Sequence, residues 1–180
     1  MTRSLLPGTI VTLSQLPVSQ LKLTNIPVPA LPTTRSSSDV FRRVAQLKTH
    51  LHAEEVAEGV RISLLGDVLF DFDQDTIRTD AQPVLQQVAD LIRQSGTTHV
   101  AIYGHTDAKG TSLHNKELSQ RRAGAVKSYL VTNFALAAEY LSTEGQGATQ
   151  PIAPNTNPDG SDNPEGRQRN RRVELLIPRQ

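Results

Sequence analysis

Apolar and polar positions recur along residues 39–178 with two different periods, and these periods predict the secondary structure. Apolar residues three or four apart are typical of amphipathic helices, whereas short apolar or alternating runs are typical of strands. Helices are therefore predicted over Asp39–Ala57, from Thr79-Asp80 to Gly96, and over Ser112–Val131. Strands are predicted over Val60–Leu64, Val68–Phe72, Val100–Tyr103, Leu141–Gly145 and Val173–Ile177, and a loop over Ala153–Gln168. The alternation β-α-β-α-β predicts an α/β sandwich, with a mixed sheet that contains parallel pairs and has helices on one face.

The first 38 residues have a different pattern. Pro7, Pro17 and Pro27 recur every ten residues and interrupt short alternating pieces, which predicts an extended Pro-rich segment or linker, with brief edge strands as the alternative. Residues 39–58 are predicted to be an amphipathic helix that leads into the domain formed by residues 59–180. The apolar stripe of this helix is too short for a coiled coil and is expected to pack on its own domain.

The helix predicted over Ser112–Val131 carries polar residues on its apolar side. Asn115, Ser119 and Arg122 fall within that stripe. A guanidinium turned toward a core is costly unless it is paired, and Asp107, in Gly104-His105-Thr106-Asp107 at the end of a predicted strand, is the nearest candidate partner. Two interpretations follow. The two residues form a structural ion pair, or they form a site where the carboxylate holds a ligand ammonium and the guanidinium grips a ligand carboxylate.

Composition excludes several other kinds of chemistry. The chain has no cysteine, so disulfides, thiolate sites and a cysteine nucleophile are excluded. Its net charge of +1 and its 4% of aromatic residues argue against nucleic-acid binding. The basic cluster Arg167–Arg172 is flanked by Glu165 and Glu174 and lacks aromatic residues, so it does not favour a nucleic-acid site either. No catalytic residue, metal or cofactor is predicted: His105 near Asp107 has no nucleophile at a recognisable spacing, the five histidines are scattered, and the alternating aspartates 71, 73 and 75 lack the later Gly and Glu of a calcium loop.

Several separated motifs, in a common order, resemble those of the OmpA-like domain. These motifs are Phe70-Asp71-Phe72-Asp73, Gly104-His105-Thr106-Asp107, Gly110, Asn115, Leu118-Ser119, Arg122-Ala123, Gly145, Pro151-Ile152, Gly166-Arg167 and Asn170-Arg171-Arg172-Val173-Glu174. The resemblance covers roughly residues 60–177 and is to a peptidoglycan-binding module of outer-membrane protein A, peptidoglycan-associated lipoprotein and the flagellar stator's B subunit. The segment 155–166 is longer than in the family's usual pattern, and residues 1–39 have no counterpart in the module.

The resemblance implies that the domain binds the meso-diaminopimelate of the peptidoglycan stem peptide without hydrolysing it, and so anchors an envelope protein or complex to the cell wall. By this resemblance Asp107 takes the ammonium, Arg122 takes the carboxylate, and Asn115 and Asp73 add polar contacts. Further candidates that border or support the pocket are Thr106, Lys109, Leu118, Arg172 and Val173. The alternatives are a cell-wall hydrolase or amidase, and a protein-interaction scaffold in which Asp107 and Arg122 are purely structural.

The implied partner is peptidoglycan, with other envelope proteins as further candidates and no nucleic acid. The implied location is the periplasm. Met1–Gln20 is broken by Pro7, Gly8 and Pro17 and is not a typical signal peptide, and no apolar run is long enough to span a bilayer. We therefore expect the chain to be a piece of a longer protein, whose signal or membrane link lies in segments outside it.

Overall fold

The computed structural model describes residues 37–179, so the predicted Pro-rich segment lies outside the described residues, apart from its last two positions. The helices are α1 (Ser37–His50), α2 (Gly66–Leu69), α3 (Gln82–Ser95), α4 (Ser112–Phe134) and α5 (Pro164–Asn170). The strands are β1 (Glu54–Val56), β2 (Gly59–Leu65), β3 (Val100–His105), β4 (Leu141–Gly147) and β5 (Arg172–Pro178). Single 3₁₀ turns precede α3 and β4. None of the described helices is both long and apolar enough to cross a membrane.

The five described strands form one mixed sheet in the order β1-β2-β5-β3-β4. Among them only β3 and β4 run parallel, because β5 enters antiparallel between β2 and β3. Leu175 at the centre of β5 pairs with Ile62 on one side and Ile102 on the other, and all three side chains are fully buried. The fold class predicted from the sequence is confirmed, although it contains a single parallel pair among the described strands.

Helices α1, α3 and α4 cover one face of the sheet and enclose the core. Leu85 and Val88 of α3, and Val126 and Leu130 of α4, are fully buried against the sheet. Full burial of such a side chain contributes about 1.5–3 kcal/mol. Residues on the opposite face, such as Tyr103 and Leu176, remain partly exposed.

Two glycines let α4 approach the sheet closely. A Cβ atom on Gly104 of β3 would lie 2.0 Å from the backbone oxygen of Ser119, and one on Gly145 of β4 would lie 2.4 Å from the backbone nitrogen of Gln120. The helix side chains then complete the hydrogen bonds of edge strand β4: Ser119 Oγ accepts from Gly147 N at 2.9 Å, and Gln120 Oε1 accepts from Gly145 N at 2.7 Å. These contacts fix which residues of α4 face inward.

The first helix is shorter than predicted. Instead of continuing to Ala57, α1 ends at His50, and His52 adopts a left-handed conformation with φ of 49°. The amide of Ala53 bonds to Lys48 O and that of His52 to Thr49 O, which is the pattern of a Schellman ending. The chain can therefore turn back, and residues 54–56 pair with β2. The apolar stripe packs on its own domain as predicted, since Leu47 and Leu51 are buried in the core.

The predicted strand Val68–Phe72 is wrong. Residues 66–69 form the single helical turn α2, whose first amide, that of Gly66, bonds to Arg171 O at 2.7 Å. Leu69 and Phe70 are both buried, while Phe72 is 90% exposed. Burial of two consecutive side chains conflicts with the strict alternation of a half-buried strand, and the helical turn resolves this conflict.

Two further helix boundaries differ from the prediction. Thr79-Asp80 does not cap α3 but forms a 3₁₀ turn, and α3 has no side-chain cap, although it ends at Gly96 as predicted. The predicted loop Ala153–Gln168 contains the start of α5. Asn163 caps this helix by accepting from Gly166 N, with Pro164 at its first turn, a start signal that the sequence already carried.

Candidate ligand-binding site

A charged cleft of about 320 Å³ opens where β3 runs into the loop before α4. Residues from four parts of the chain line it. These are Asp67 of α2, Phe72 and Asp73 of the following loop, Thr106, Asp107, Lys109 and Gly110 after β3 together with His114, Asn115, Leu118 and Arg122 of α4, and Arg167 and Arg171 at α5. The cleft thus brings together seven of the nine positions predicted from the sequence, which are Asp73, Thr106, Asp107, Lys109, Asn115, Leu118 and Arg122.

Arg122 lies at the base of the cleft and is only 5% exposed. Its Nε donates to Gln74 O at 2.9 Å, and its guanidinium lies 5.1 Å from the centre of the Phe70 ring, within cation–π range. Among residues 37–179 no carboxylate lies within 4.0 Å of it. Burial lowers the pKa of Arg122, opposed by the nearby carboxylates of Asp73 and Asp67. The inward orientation predicted from the helical period is confirmed, and the structural Asp107–Arg122 ion pair does not form.

Asp107 is instead held by arginines at α5. Its Oδ2 accepts from Arg171 Nη1 at 2.9 Å and lies 3.7 Å from Arg167 Nη1, and its Oδ1 accepts from Lys109 N at 2.9 Å. Arg171 also forms two hydrogen bonds to Asp67, through Nε at 3.2 Å and Nη2 at 2.9 Å. The bond from Arg171 lowers the pKa of Asp67. Asp107 is therefore kept in place by an arginine 64 residues away rather than by Arg122.

Asn115 and Thr106 shape the floor of the cleft. The amide of Asn115 donates to Lys109 O at 2.9 Å and to Asp107 O at 3.3 Å, which ties the loop after β3 to α4. Thr106 donates its backbone amide to Gly147 O, but its hydroxyl is buried and has no hydrogen-bond partner in the described part of the chain. A buried hydroxyl without a partner is costly, so a polar ligand group at this position would be stabilising.

Asp73 is the one aspartate of the alternating three that lines the cleft. It adopts a left-handed conformation with φ of 56°, and its half-exposed carboxylate lies 3.3 Å from His114 Nε2. Asp71 and Asp75 point elsewhere and pair with Arg78 and Arg121. Asp73 is therefore a rim acceptor that a ligand can reach from solvent.

Arg172 and Val173, which were expected to border or support the pocket, do not line the cleft. Arg172 is buried on the far side, where its Nε donates to Glu174 Oε1 at 2.7 Å and its Nη groups bond to Asn170 O and Gln150 O. Val173 is part of the core. The arginine that reaches the cleft is the preceding one, Arg171. Of two adjacent arginines on an extended chain only one can face a given side, and the sequence does not show which.

His105 is also outside the cleft lining. Its ring is 1% exposed, neither ring nitrogen has a hydrogen-bond partner among residues 37–179, and Nε2 lies 3.8 Å from Glu174 Oε2. Burial, assisted by the charge of Arg172, lowers the pKa of His105 from 6.5 to about 4. The ring is thus neutral at physiological pH. No group of three His, Cys, Asp or Glu side chains in the described residues is placed to hold a metal ion.

The fold and the cleft define a small α/β domain with a cleft of opposite charges at the end of a central strand. Residues 69–165, more than half of the chain, match the OmpA family model, and the chain belongs to the OmpA family.

The chain is also similar to individual known proteins. The chain is 46% identical over 125 residues to photosystem I P700 chlorophyll a apoprotein A2 of Gloeobacter violaceus, aligning 69% of itself with 14% of that protein. It is 35% identical over 112 residues to peptidoglycan-binding protein ArfA of Mycobacterium bovis, aligning 62% of itself with 32% of that protein. The cell wall anchor of the T6SS from Pseudomonas aeruginosa superimposes with a TM-score of 0.63 at 29% identity, covering 78% of this chain and 97% of that one. The chain spans between 14% and 56% of the length of these and the other curated relatives compared.

Proposed function

We propose that this domain binds peptidoglycan non-covalently, through the meso-diaminopimelate of the stem peptide, and anchors the protein that carries it to the cell wall. The observation that carries the proposal is Arg122, a nearly buried guanidinium that lines the cleft and has no carboxylate within 4.0 Å among the described residues. A desolvated cation in such a position favours a ligand that brings its own anion. Among the relatives, one is named a peptidoglycan-binding protein and another a cell wall anchor.

The free end of meso-diaminopimelate carries an ammonium and a carboxylate on one carbon, and the cleft offers a complement to each. Because Arg122 Nε is already bonded to Gln74 O, its two Nη groups are available for a two-bond grip on the ligand carboxylate. Asp107 faces the ammonium. Its bonds to Arg171 and Lys109 N leave part of its acceptor capacity free, since an ionised carboxylate offers about four lone-pair sites.

Two more groups in the cleft suit the same ligand. The Thr106 hydroxyl has no partner within residues 37–179 and can bond to either charged group of the ligand. Asp73 at the rim adds a second acceptor for an ammonium, beside His114. A neutral or singly charged small molecule would leave at least one of these groups unpaired, which favours a zwitterion.

The two alternative functions make different use of the same residues. A scaffold with a structural Asp107–Arg122 pair is not favoured, because Asp107 bonds to Arg171 and Arg122 to a backbone carbonyl. A hydrolase needs an activated nucleophile or a metal-bound water, and no observation on the described residues favours either. We therefore propose binding without bond cleavage, in the periplasm where the wall is accessible.

Sedimentation with purified sacculi tests the proposal. The wild-type domain should pellet with sacculi that contain diaminopimelate, and Arg122→Ala should stay in the supernatant. The matched control is Arg121→Ala, which removes the neighbouring exposed arginine that pairs with Asp75 and should pellet like the wild type. Equal pelleting of Arg122→Ala and the wild type would overturn the site assignment.

Sacculi with lysine in place of diaminopimelate test the ligand itself. Lysine keeps the side-chain ammonium and lacks the carboxylate, so Arg122 would have no partner and the domain should not pellet. A turbidity assay on the same material separates binding from hydrolysis: soluble muropeptides released by the wild type would establish the alternative enzyme.

A further inference from the structure

A second cleft, of about 380 Å³, crosses the face of the sheet that the described helices leave uncovered. It runs over four adjacent strands, from Arg61 on β2, across Glu174 and Leu176 on β5 and Tyr103 on β3, to Glu144 on β4. Glu58, Gln146 and Gln150 complete its lining. With neighbouring strands about 4.8 Å apart, four strands make a trough about 14 Å wide, which is long enough for a disaccharide.

The lining has the chemistry that recognises sugars. Tyr103 pairs directly with Glu174 across β3 and β5, and Leu176 lies beside Ala101, so an aromatic ring and an aliphatic side chain form a partly exposed floor. Carboxylates and amides surround this floor. Such groups bond to hydroxyls and N-acetyl groups, while an aromatic ring packs against the apolar face of a sugar.

Four of these polar side chains have no hydrogen-bond partner within the described residues, whereas Glu174 pairs with Arg61 and Arg172. In the described part of the chain, the Tyr103 hydroxyl and the side chains of Glu144, Gln146 and Gln150 make no hydrogen bond. Three carboxylates and one guanidinium line the cleft, so it repels polyanions and suits an uncharged polymer. An uncharged polymer rich in hydroxyl groups can bond to the unpartnered side chains and is not repelled by the carboxylates.

The sheet-face cleft lies on strand β3, and the ligand-binding cleft begins just beyond the end of that strand. Tyr103 lines the first cleft and Asp107, four residues further along the chain, lines the second, so these two positions are about 13 Å apart at most. In peptidoglycan two residues separate diaminopimelate from the sugar, a reach of about 10 Å in an extended peptide. The two lengths are similar, so a stem peptide held at Asp107 and Arg122 would bring its sugar toward Tyr103.

We infer that the uncovered sheet face is a second peptidoglycan subsite, which takes the glycan strand through Tyr103, Leu176, Glu144 and Gln150. This inference rests on the proposed function, because the stem peptide delivers the sugar to the face. The domain then binds two parts of one polymer. The charged end of diaminopimelate lies in the ligand-binding cleft, and the neutral disaccharide lies in the sheet-face cleft.

The test compares two soluble ligands by calorimetry, a diaminopimelate-containing tetrapeptide and the same tetrapeptide attached to its disaccharide. The wild type should bind the disaccharide peptide about three- to tenfold more tightly, the range that one aromatic contact supplies. Tyr103→Ala, and separately the double variant Glu144→Ala with Gln150→Ala, should bring this ratio close to one and leave binding of the bare tetrapeptide unchanged. Tyr140→Ala, at an exposed tyrosine outside both clefts, should keep the ratio.

The outcomes distinguish the two proposals. A wild-type ratio of one, or a ratio that both sheet-face changes leave intact, would overturn the glycan subsite and leave the diaminopimelate site standing. If Arg122→Ala binds the bare tetrapeptide as tightly as the wild type, the proposed function itself fails. Because the double variant alters only exposed side chains, it remains a test even if Tyr103→Ala weakens the fold.

Discussion

Arg171 Nη1 lies 2.9 Å from Asp107 Oδ2, so the carboxylate of the cleft is held by an arginine that precedes the last strand and not by Arg122. Arg171 thus holds Asp107 in a fixed orientation, while Arg122 has no carboxylate within 4.0 Å among the described residues. Arg171 therefore compensates the charge of Asp107, whereas the charge of Arg122 is left for a ligand. Because the two arginines have different roles, substitutions at the two positions should have different effects.

Replacing Arg122 by lysine should abolish binding to sacculi although the charge is kept. Lysine cannot bond to Gln74 O and grip a carboxylate with two further parallel donors, and it lacks the planar face that meets the Phe70 ring. Truncating one member of a desolvated charged contact costs about 2–5 kcal/mol, so we expect at least a tenfold loss in a pelleting titration. An unchanged melting temperature serves as the control for folding. If the lysine variant pellets like the wild type, the bidentate grip is wrong.

Replacing Arg171 by alanine should lower the free energy of unfolding, because Asp67 and Asp107 share this guanidinium. Removing one partner of a buried ion pair costs roughly 3 kcal/mol or more, and partial exposure at this site brings the expected loss to about 2 kcal/mol. Urea unfolding at pH 7 measures it. Arg169→Ala is the matched control, since Arg169 is exposed and makes no ion pair among the described residues. A loss confined to sacculus binding, with stability unchanged, would contradict the positioning role.

The period of α4 was sufficient to predict the inward residues of the site. Asn115, Ser119 and Arg122 are all buried, because residues three, four and seven positions apart share one side of a helix and the apolar Leu118 and Val126 place that side toward the core. The position of Asp107 followed in the same way from the end of a short apolar strand. These are local properties, which one stretch of chain determines by itself.

The partners of these residues depend on tertiary structure and could not be predicted. Arg171 meets Asp107 only because β5 inserts between β2 and β3, and the choice between Arg171 and Arg172 depends on where that strand begins. The run Val68–Phe72 wrongly predicts a strand, because a short apolar run has no decisive period. Its burial pattern, with Leu69 and Phe70 both inside, is visible only once the core is assembled.

Acid should destabilise the domain through His105. Its pKa is lowered from 6.5 to about 4 in the folded state, so the native structure favours the neutral ring. The stabilisation is complete above the unfolded pKa and is lost as the pH falls from about 6.5 toward 4, at about 1.4 kcal/mol per pH unit and about 3 kcal/mol in all. His105→Phe keeps an aromatic ring and cannot be protonated, so its stability should depend less on pH over this interval.

Thermal melts at several pH values measure this dependence. His99→Ala, at an exposed histidine, is the control and should follow the wild type. Carboxylates titrate in the lower part of the same range, so the quantity of interest is the difference between variant and wild type. Parallel curves for His105→Phe and wild type would show that the buried ring does not carry the acid sensitivity.

The glycine contact between α4 and the sheet predicts opposite effects for two Gly→Ala changes. At Gly104 the added Cβ would lie 2.0 Å from Ser119 O, a backbone atom that cannot rotate away, so the helix must shift. Overpacking of this kind costs about 1–3 kcal/mol, and the shift should also displace Arg122, which lies one turn further along the helix, so that sacculus binding falls as well.

Gly124 lies in the interior of the same helix, where a Cβ would meet nothing within 4 Å. Alanine there removes the flexibility of an interior helical glycine and should stabilise the domain by about 0.5–1 kcal/mol, with binding unchanged. Urea unfolding and pelleting of both variants measure the two effects. Stabilisation by Gly104→Ala would contradict the close approach of α4 to β3, because it would mean that the helix accommodates a methyl group where the structure leaves no room.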